Sequence, residues 1–216
     1  MTGAGARVAV DVAVCTVRDR ALHVLLARTT GGPFPGAWAL PGGLVHHDES
    51  LDDAAARELF ERTGLDDVYL EQLYTFGRPD RDPAARVVSV AYVGLIPHAQ
   101  RFPAVDPRPV AWSPIRRIPS LAYDHAEVVR MAVARLRAKL QYTNLVYTLL
   151  PAAFTLSELQ AVYEAILGRR LDRRNFRKKI LSTGLLAALG RQRRGAHRPA
   201  TLYRFRRRRP MTVAIL

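Results

Sequence analysis

The sequence predicts an α+β chain of two domains, a strand-rich one over residues 1–140 and a helical one ending in a hairpin over residues 141–216. Three observations carry this prediction: apolar runs of strand length divided by turn residues in the first part, an ordered series of helix caps in the second, and a sharp difference in charge between them. With 216 residues, 49% hydrophobic and 24% charged, the chain has enough apolar material for packed cores and no compositional mark of disorder.

In the first domain, the β-branched run Val8 to Val17, the turn Arg18-Asp19-Arg20 and Leu22 to Leu26 read as a hairpin. A Gly/Pro-rich loop follows from Gly31 to Gly43. Leu51, Ala55, Leu59 and Phe60 then recur near helical spacing, and Gly64 ends the segment as a C-terminal cap. Val68 to Phe76 and Val87 to Ile96 read as strands separated by the charged turn Gly77 to Pro83, and Pro103 to Pro119 as a proline-punctuated loop. From His125 to Leu140, Val128, Val129, Ala132, Val133 and Leu136 share one face of a helix that closes the domain.

In the second domain, Thr143 to Leu150 reads as a short helix stopped by Pro151. Thr155-Leu156-Ser157-Glu158 is a capping box opening a helix that ends at Gly168. Asp172 caps a third helix, Arg173 to Ser182, closed by Gly184. Leu185 to Leu189 and Thr201 to Phe205 flank the basic loop Gly190 to Ala200 as a hairpin with an exposed tip. Three helices and a basic hairpin in this order are the winged helix-turn-helix plan.

Charge separates the two domains. Residues 141–216 hold 16 Lys and Arg against Glu158, Glu164 and Asp172, a net +13, so the first 140 residues contribute +1 of the total +14. This asymmetry points to a polyanion-binding module, with duplex DNA as the leading partner, attached to a nearly neutral domain. The single Cys15 excludes an internal disulfide and a multi-cysteine metal site. Arg, Asp or Gly interrupts every apolar run before the roughly 18 to 20 residues needed to cross a bilayer, so no membrane role and a cytoplasmic location are expected.

Gly43 to Leu65 reads GLVHHDESLDDAAARELFERTGL. It resembles the Nudix box, in which G, five residues, E, seven residues and R-E-U-x-E-E-x-G-U follow in order, U being aliphatic. Gly43, Glu49, Arg57, Glu58, Leu59, Glu61, Gly64 and Leu65 all fall on the pattern. The resemblance implies a Nudix α/β/α sandwich with a mixed sheet over roughly residues 6 to 140. On a helix, positions 58, 61 and 62 lie within a sector of about 100°, where three carboxylates would converge on one hard divalent cation. Position 62 is Arg62, which changes the local charge by two units and puts a guanidinium where Mg²⁺ would sit. Hydrolysis is expected to be severely impaired and no cofactor to be required, with Mg²⁺ held weakly at most by Glu58 and Glu61. Arg62 is instead a candidate to hydrogen-bond a diphosphate directly. Tyr74 to Asp82 and Ser89 to Tyr92 look like the matching segments of Nudix proteins that handle ADP-ribose. Phe76, Trp112 and Tyr92 are then candidates to stack on adenine, and Arg78, with Arg57 and Glu58, to meet the ligand. The adjacent His46 and His47 read as an exposed loop pair.

In the third helix of the second domain, Phe176, Ile180 and Leu181 form the apolar face, while Arg174, Arg177 and Lys178 face away from it. Arg173, Arg174 and Asn175 near its N-terminus are the base-reading candidates. Arg191, Arg193, Arg194, His197 and Arg198 at the wing are candidates for phosphate or minor-groove contact. An altered Nudix box followed by Phe154 to Gln160, Arg173-Arg174-Asn175-Phe176 and Arg198 to Phe205 looks like the Nudix-related transcriptional regulators of NAD metabolism, the NrtR family. That resemblance implies a homodimeric repressor on a palindromic operator of NAD biosynthesis or salvage genes, released by ADP-ribose or a related nucleotide. Competing readings are an active Nudix hydrolase, such as an ADP-ribose pyrophosphatase, with an accessory nucleic-acid-binding domain, an RNA-end hydrolase, and a regulator of the same architecture that senses another sugar nucleotide or controls sugar catabolism.

Overall fold

The computed structural model describes residues 5–97, 110–193, 199–213 and 215. Chain contacts divide it into two units, separated in sequence between Val133 and Ala134, with Thr16–Leu22 grouped with the second.

The first unit is built on a mixed sheet. Strands β1 (Arg7–Arg18) and β2 (Ala21–Arg28) are neighbours, joined by a turn whose Asp19 and Arg20 both take positive φ, 47° and 59°. That left-handed pair suits the right-handed twist of the flanking strands. With β3 (Trp38–Ala39), β4 (Gly42–Leu44), β5 (Tyr69–Phe76), β6 (Val87–Leu95) and β7 (Val110–Pro114), the order is β3-β2-β1-β6-β5, while β4 pairs with β1 and β7 with β2. β1 and β6 run parallel, Arg7 opposite Val87 through Cys15 opposite Leu95, whereas β5 is antiparallel to β6.

Ala9–Thr16 of β1 are all buried, as expected of a strand covered on both faces. On one face Val10, Val12 and Val14 pack with Leu25, Val90 and Tyr92 against Ala54, Ala55 and Leu59 of α1 (Leu51–Thr63). The two-residue period sends Asp11 to the other face, where it meets His125 at the start of α2 (His125–Tyr142). Helices therefore lie on both faces of the sheet, the α/β/α arrangement the Nudix resemblance implies.

In the second unit β8 (Phe154–Thr155), α3 (Leu156–Leu167), α4 (Arg173–Ser182), β9 (Leu186–Arg193) and β10 (Ala200–Phe205) follow in order, the strands forming an antiparallel sheet β8-β10-β9. This is the winged helix-turn-helix plan. Leu159, Tyr163 and Ile166 of α3 are buried with Phe176 and Ile180 of α4, and the Tyr163 ring meets Phe176 edge-on. The segment after β10 turns back and is held by the fully buried Asn144. Its amide donates to the Arg209 carbonyl at 3.0 Å and its carbonyl accepts the Met211 N–H at 2.8 Å.

Four local readings are corrected. The Pro103–Pro119 segment contains β7, paired with β2 from His23 to Ala27, and a 3-10 turn at Ile115–Arg117; residues 98–109 of it lie outside the described residues. Pro114 falls at the end of the strand, opposite His23, a position that a proline tolerates better than a strand interior. Thr143–Leu150 is not an α-helix but a 3-10 turn, Leu145–Thr148, because Asn144 is engaged by the returning tail and four residues are too few to propagate a helix. Within Gly31–Gly43, β3 and the start of β4 are strands too short for periodicity to reveal. Leu181, placed on the apolar face of its helix, is 45% exposed, since only Phe176 and Ile180 of α4 point inward.

Candidate ligand pocket and candidate nucleic-acid interface

The Nudix-like segment folds as its caps dictate. Ser50 accepts the Asp53 N–H at 3.1 Å to start α1, and Gly64, at φ 70°, donates to the Phe60 carbonyl to end it. Arg57 is the hub of the segment. Its Nε and Nη2 grip Glu49 at 2.8 and 2.6 Å, and Nη1 donates to Glu58 at 2.8 Å and Glu61 at 3.3 Å. The Arg57 hydrogen bonds and the His46 amide lower the Glu49 carboxyl from its ordinary 4.5 to about 2. The other oxygen of Glu58 accepts from Arg62 Nε at 3.2 Å, so both Glu58 oxygens face guanidinium groups, and its side chain is only 7% exposed. A Cβ at Gly43 would lie 2.2 Å from Glu58 Oε1, which explains glycine at this position.

This donor set does not fit a divalent cation. Glu58 is neutralised on both sides, Glu61 is turned to Arg57, and Arg62 stands in place of the third carboxylate. Among the described residues no cluster of three or more His, Cys, Asp or Glu is arranged to hold a metal ion. His46 and His47 each lie 3.8 Å from an acidic neighbour, Glu49 and Asp48, rather than beside one another's ligand set.

Beside α1 lies a cavity of about 470 Å³ whose wall includes Gly43 and Arg62 from the box, and Asp11, Arg28, Arg81, Tyr123 and His125 from elsewhere. At its floor Asp11 accepts from Arg81 Nη2 at 2.9 Å, from Ser89 Oγ at 2.6 Å and from His125 Nε2 at 3.1 Å. Burial raises the Asp11 carboxyl, and the stronger opposing pull of His125, Arg81 and Ser89 holds it well below the usual carboxylate range. Leu40 N–H donates to His125 Nδ1 at 2.9 Å, so both ring nitrogens are occupied. This Asp–His pair therefore has no free base to offer a substrate. Arg28 covers the Trp38 ring at 4.1 Å. Tyr123, at φ 53°, faces Phe34 edge-on and His125 at a tilt.

Of the ligand residues read from sequence, Arg62 reaches the cavity wall and Arg57 and Glu58 do not, being engaged in the ion-pair cluster. Phe76 is buried edge-on to Tyr74, and Arg78 pairs with Asp80 at 2.7 Å on the surface. Tyr92 is buried with its hydroxyl donating to Asp52 at 2.6 Å, and Trp112 packs against the α1-side core. None of these three rings lines the cavity; its aromatic wall is Tyr123, which sequence reasoning missed. Asp11 was missed as well, although one carboxylate amid a continuous apolar strand is a legible signal that buried partners exist.

In the second unit, Asp172 Oδ1 accepts the Asn175 N–H at 2.7 Å and starts α4. Glu164 accepts the Leu171 N–H at 2.9 Å and Gln160 at 3.0 Å, which fixes the turn between α3 and α4. Arg173, Arg174, Asn175 and Lys178 are exposed. Two of the predicted contacts are placed differently. Arg177 is half-buried and donates to Ser157 Oγ of α3 at 3.2 Å, and Arg193 pairs with Glu158 of the α3 capping box. Arg194, His197 and Arg198 lie outside the described residues.

Comparison with known proteins places both units. The NUDIX domain family matches residues 6–132, and the NrtR DNA-binding winged helix domain matches residues 146–205. The ADPR responsive transcriptional repressor NtrR of Acinetobacter baylyi is 37% identical over 201 residues, covering 91% of this chain and 80% of that protein. NrtR of Shewanella oneidensis, solved in complex with a 27mer DNA, is 35% identical with a TM-score of 0.79 over 92% of this chain and 93% of its own. The NUDIX domain of the same S. oneidensis protein, solved with ADP ribose, is 34% identical with a TM-score of 0.55, over 62% of this chain and 90% of its own.

Proposed function

This chain belongs to the NrtR family, a NUDIX domain joined to a DNA-binding winged helix, and from that premise we propose that it is a transcriptional repressor whose NUDIX cavity takes ADP-ribose as a releasing signal. The observation that carries the sensor reading over the hydrolase is Glu58 held between Arg57 and Arg62, of which Arg62 lines the cavity. A diphosphate entering there meets a guanidinium in place of a cation site, so recognition proceeds without metal and without an activated water. The reading extends to NAD biosynthesis or salvage genes as targets, in the cytoplasm, with a homodimer on a palindromic operator. One α4 exposes few base-reading side chains, and two-fold symmetry doubles them. Arg173, Arg174 and Asn175 are assigned to base edges and Lys178 to phosphate.

The test is binding of the full chain to promoter DNA of its neighbouring genes at fixed salt, titrated with ADP-ribose while hydrolysis is followed in the same tubes. Specific binding released by intact ADP-ribose, unchanged by a chelator, is the expected result; rapid hydrolysis without sequence-specific binding would favour the enzyme. Replacing Arg62→Glu is expected to weaken ADP-ribose binding in chelator by about tenfold, the loss of one charge-assisted contact, and to introduce a response to Mg²⁺.

A further inference from the structure

Tyr123 stands on the cavity wall at a φ of 53°, in the left-handed region that a bulky side chain rarely occupies. Its neighbours impose that angle. Leu121 bridges to Trp38 of β3, and the Ala122 N–H donates to the Trp38 carbonyl at 2.8 Å, so the chain before Tyr123 is bound to the sheet. Two residues later the His125 N–H donates back to the Ala122 carbonyl at 3.3 Å and α2 begins. The ring is held from two sides, by Phe34 edge-on at 4.9 Å and by His125 at 5.2 Å. Its hydroxyl lies beside the cavity-lining loop 31–33, where a Cβ on Gly32 would come within 3.2 Å of it. Backbone strain of this kind persists only where the surroundings over-determine it, and it collects at ligand clamps.

The hydroxyl is unspent. Among the described residues it makes no hydrogen bond, although it shares the wall with Arg62, Arg81 and Asp82. Burial, together with the Asp82 and Asp11 carboxylates, raises it above the ordinary tyrosine range against the pull of Arg81 and Arg62, so at neutral pH it is a protonated donor. The two arginines differ in what they have left to give. Arg81 is committed to Asp11 at 2.9 Å and to both oxygens of Asp124 at 3.0 and 2.8 Å. Arg62 commits only Nε, to Glu58, and its two terminal nitrogens have no hydrogen-bond partner among the described residues. A wall that carries an unpaired guanidinium edge and an unpaired phenol has donors in excess. It suits a ligand that brings acceptors and negative charge.

We infer that Tyr123 is a specificity-determining residue of this site, its hydroxyl donating to the same diphosphate that Arg62 holds. The inference rests on the functional reading above and names a further contact within the site it assigns. Two protein donors then grip the anhydride where a hydrolase would place a cation. Arg62 supplies charge, and the phenol, neutral and fixed by its packing, supplies direction.

The experiment compares the full-length protein with Tyr123→Phe, both in chelator. The substitution keeps the ring contacts with Phe34 and His125 and removes an oxygen that no other group depends on, so the thermal midpoint is expected to stay where it is. ADP-ribose affinity is measured by calorimetry, and inorganic pyrophosphate is titrated as a competitor that carries the diphosphate alone. In Tyr123→Phe both dissociation constants are expected to rise about tenfold, the loss of one hydrogen bond to a charged acceptor. An unchanged ADP-ribose Kd overturns the inference and leaves the repressor reading standing, because the unmodified chain still binds its signal. A rise for ADP-ribose with none for pyrophosphate overturns it too, since the hydroxyl would then serve a sugar or the base. Failure of the unmodified chain to bind ADP-ribose overturns both the inference and the reading beneath it.

Discussion

A carboxylate in the middle of a buried strand has to be neutralised where it stands, and Asp11 meets that demand with three donors drawn from β6, the β5–β6 connection and α2. Removing it leaves Arg81 and His125 without their shared partner. Asp11→Ala is expected to lower stability by about 3–5 kcal/mol, the cost of breaking a buried ion pair, read as a fall in the urea midpoint at constant m-value. Glu49 makes a second case at this scale. Its folded carboxyl sits at about 2 against an ordinary 4.5, so its contribution to stability is complete above 4.5 and disappears as pH falls toward 2. Glu49→Gln carries no such proton, and its unfolding midpoint is expected to vary less with pH across that window than that of the unmodified protein.

At the scale of elements, the helices begin and end where single residues close their backbone groups. Thr155 and Glu158 form a reciprocal box at the start of α3, while burial raises the Glu158 carboxyl and the Thr155 amide and Arg193 together bring it below its ordinary value. α4 depends on Asp172 alone for its side-chain cap. Asp172→Ala is expected to cost about 1 kcal/mol of stability, seen as a lower thermal midpoint, and to weaken DNA binding because Arg173 and Asn175 sit in the turn that frays. These caps were legible in the sequence because each is a contact of three or four residues. β7 was not, because what makes Val110–Pro114 a strand is its register along β2, some 85 residues earlier in the chain.

At the scale of the molecule, the separation of charge sets the division of labour. The near-neutral first 140 residues hold a cavity in which Arg81 is matched by the carboxylates of Asp11 and Asp124, while residues 141–216 carry a net +13 that suits a polyanion. DNA affinity is therefore expected to fall steeply with salt. Lys178→Gln should reduce the slope of log K against log salt by about 0.9 without altering sequence preference. Arg174→Ala should relax preference at one base position by about 1–3 kcal/mol, measured by competition between operator variants. No helix among the described residues is long and apolar enough to cross a membrane.

The sequence by itself determined the family, the altered box, the order of capped helices and the basic wing, because these are carried by fixed spacings and by charge along the chain. Only the tertiary structure decided which groups meet in the cavity. Asp11, Arg81 and His125 come from three distant segments, with no period or local pattern linking them. The same holds for the competing fates of similar side chains: Arg57 engaged by the carboxylates of its own segment, Arg62 at the cavity wall, Arg177 turned to Ser157, and Phe76 in the interior while Tyr123 lines the cavity. Which partner a guanidinium or a ring finds depends on the packing around it, and that is set by contacts across the sheet and not by neighbours in sequence.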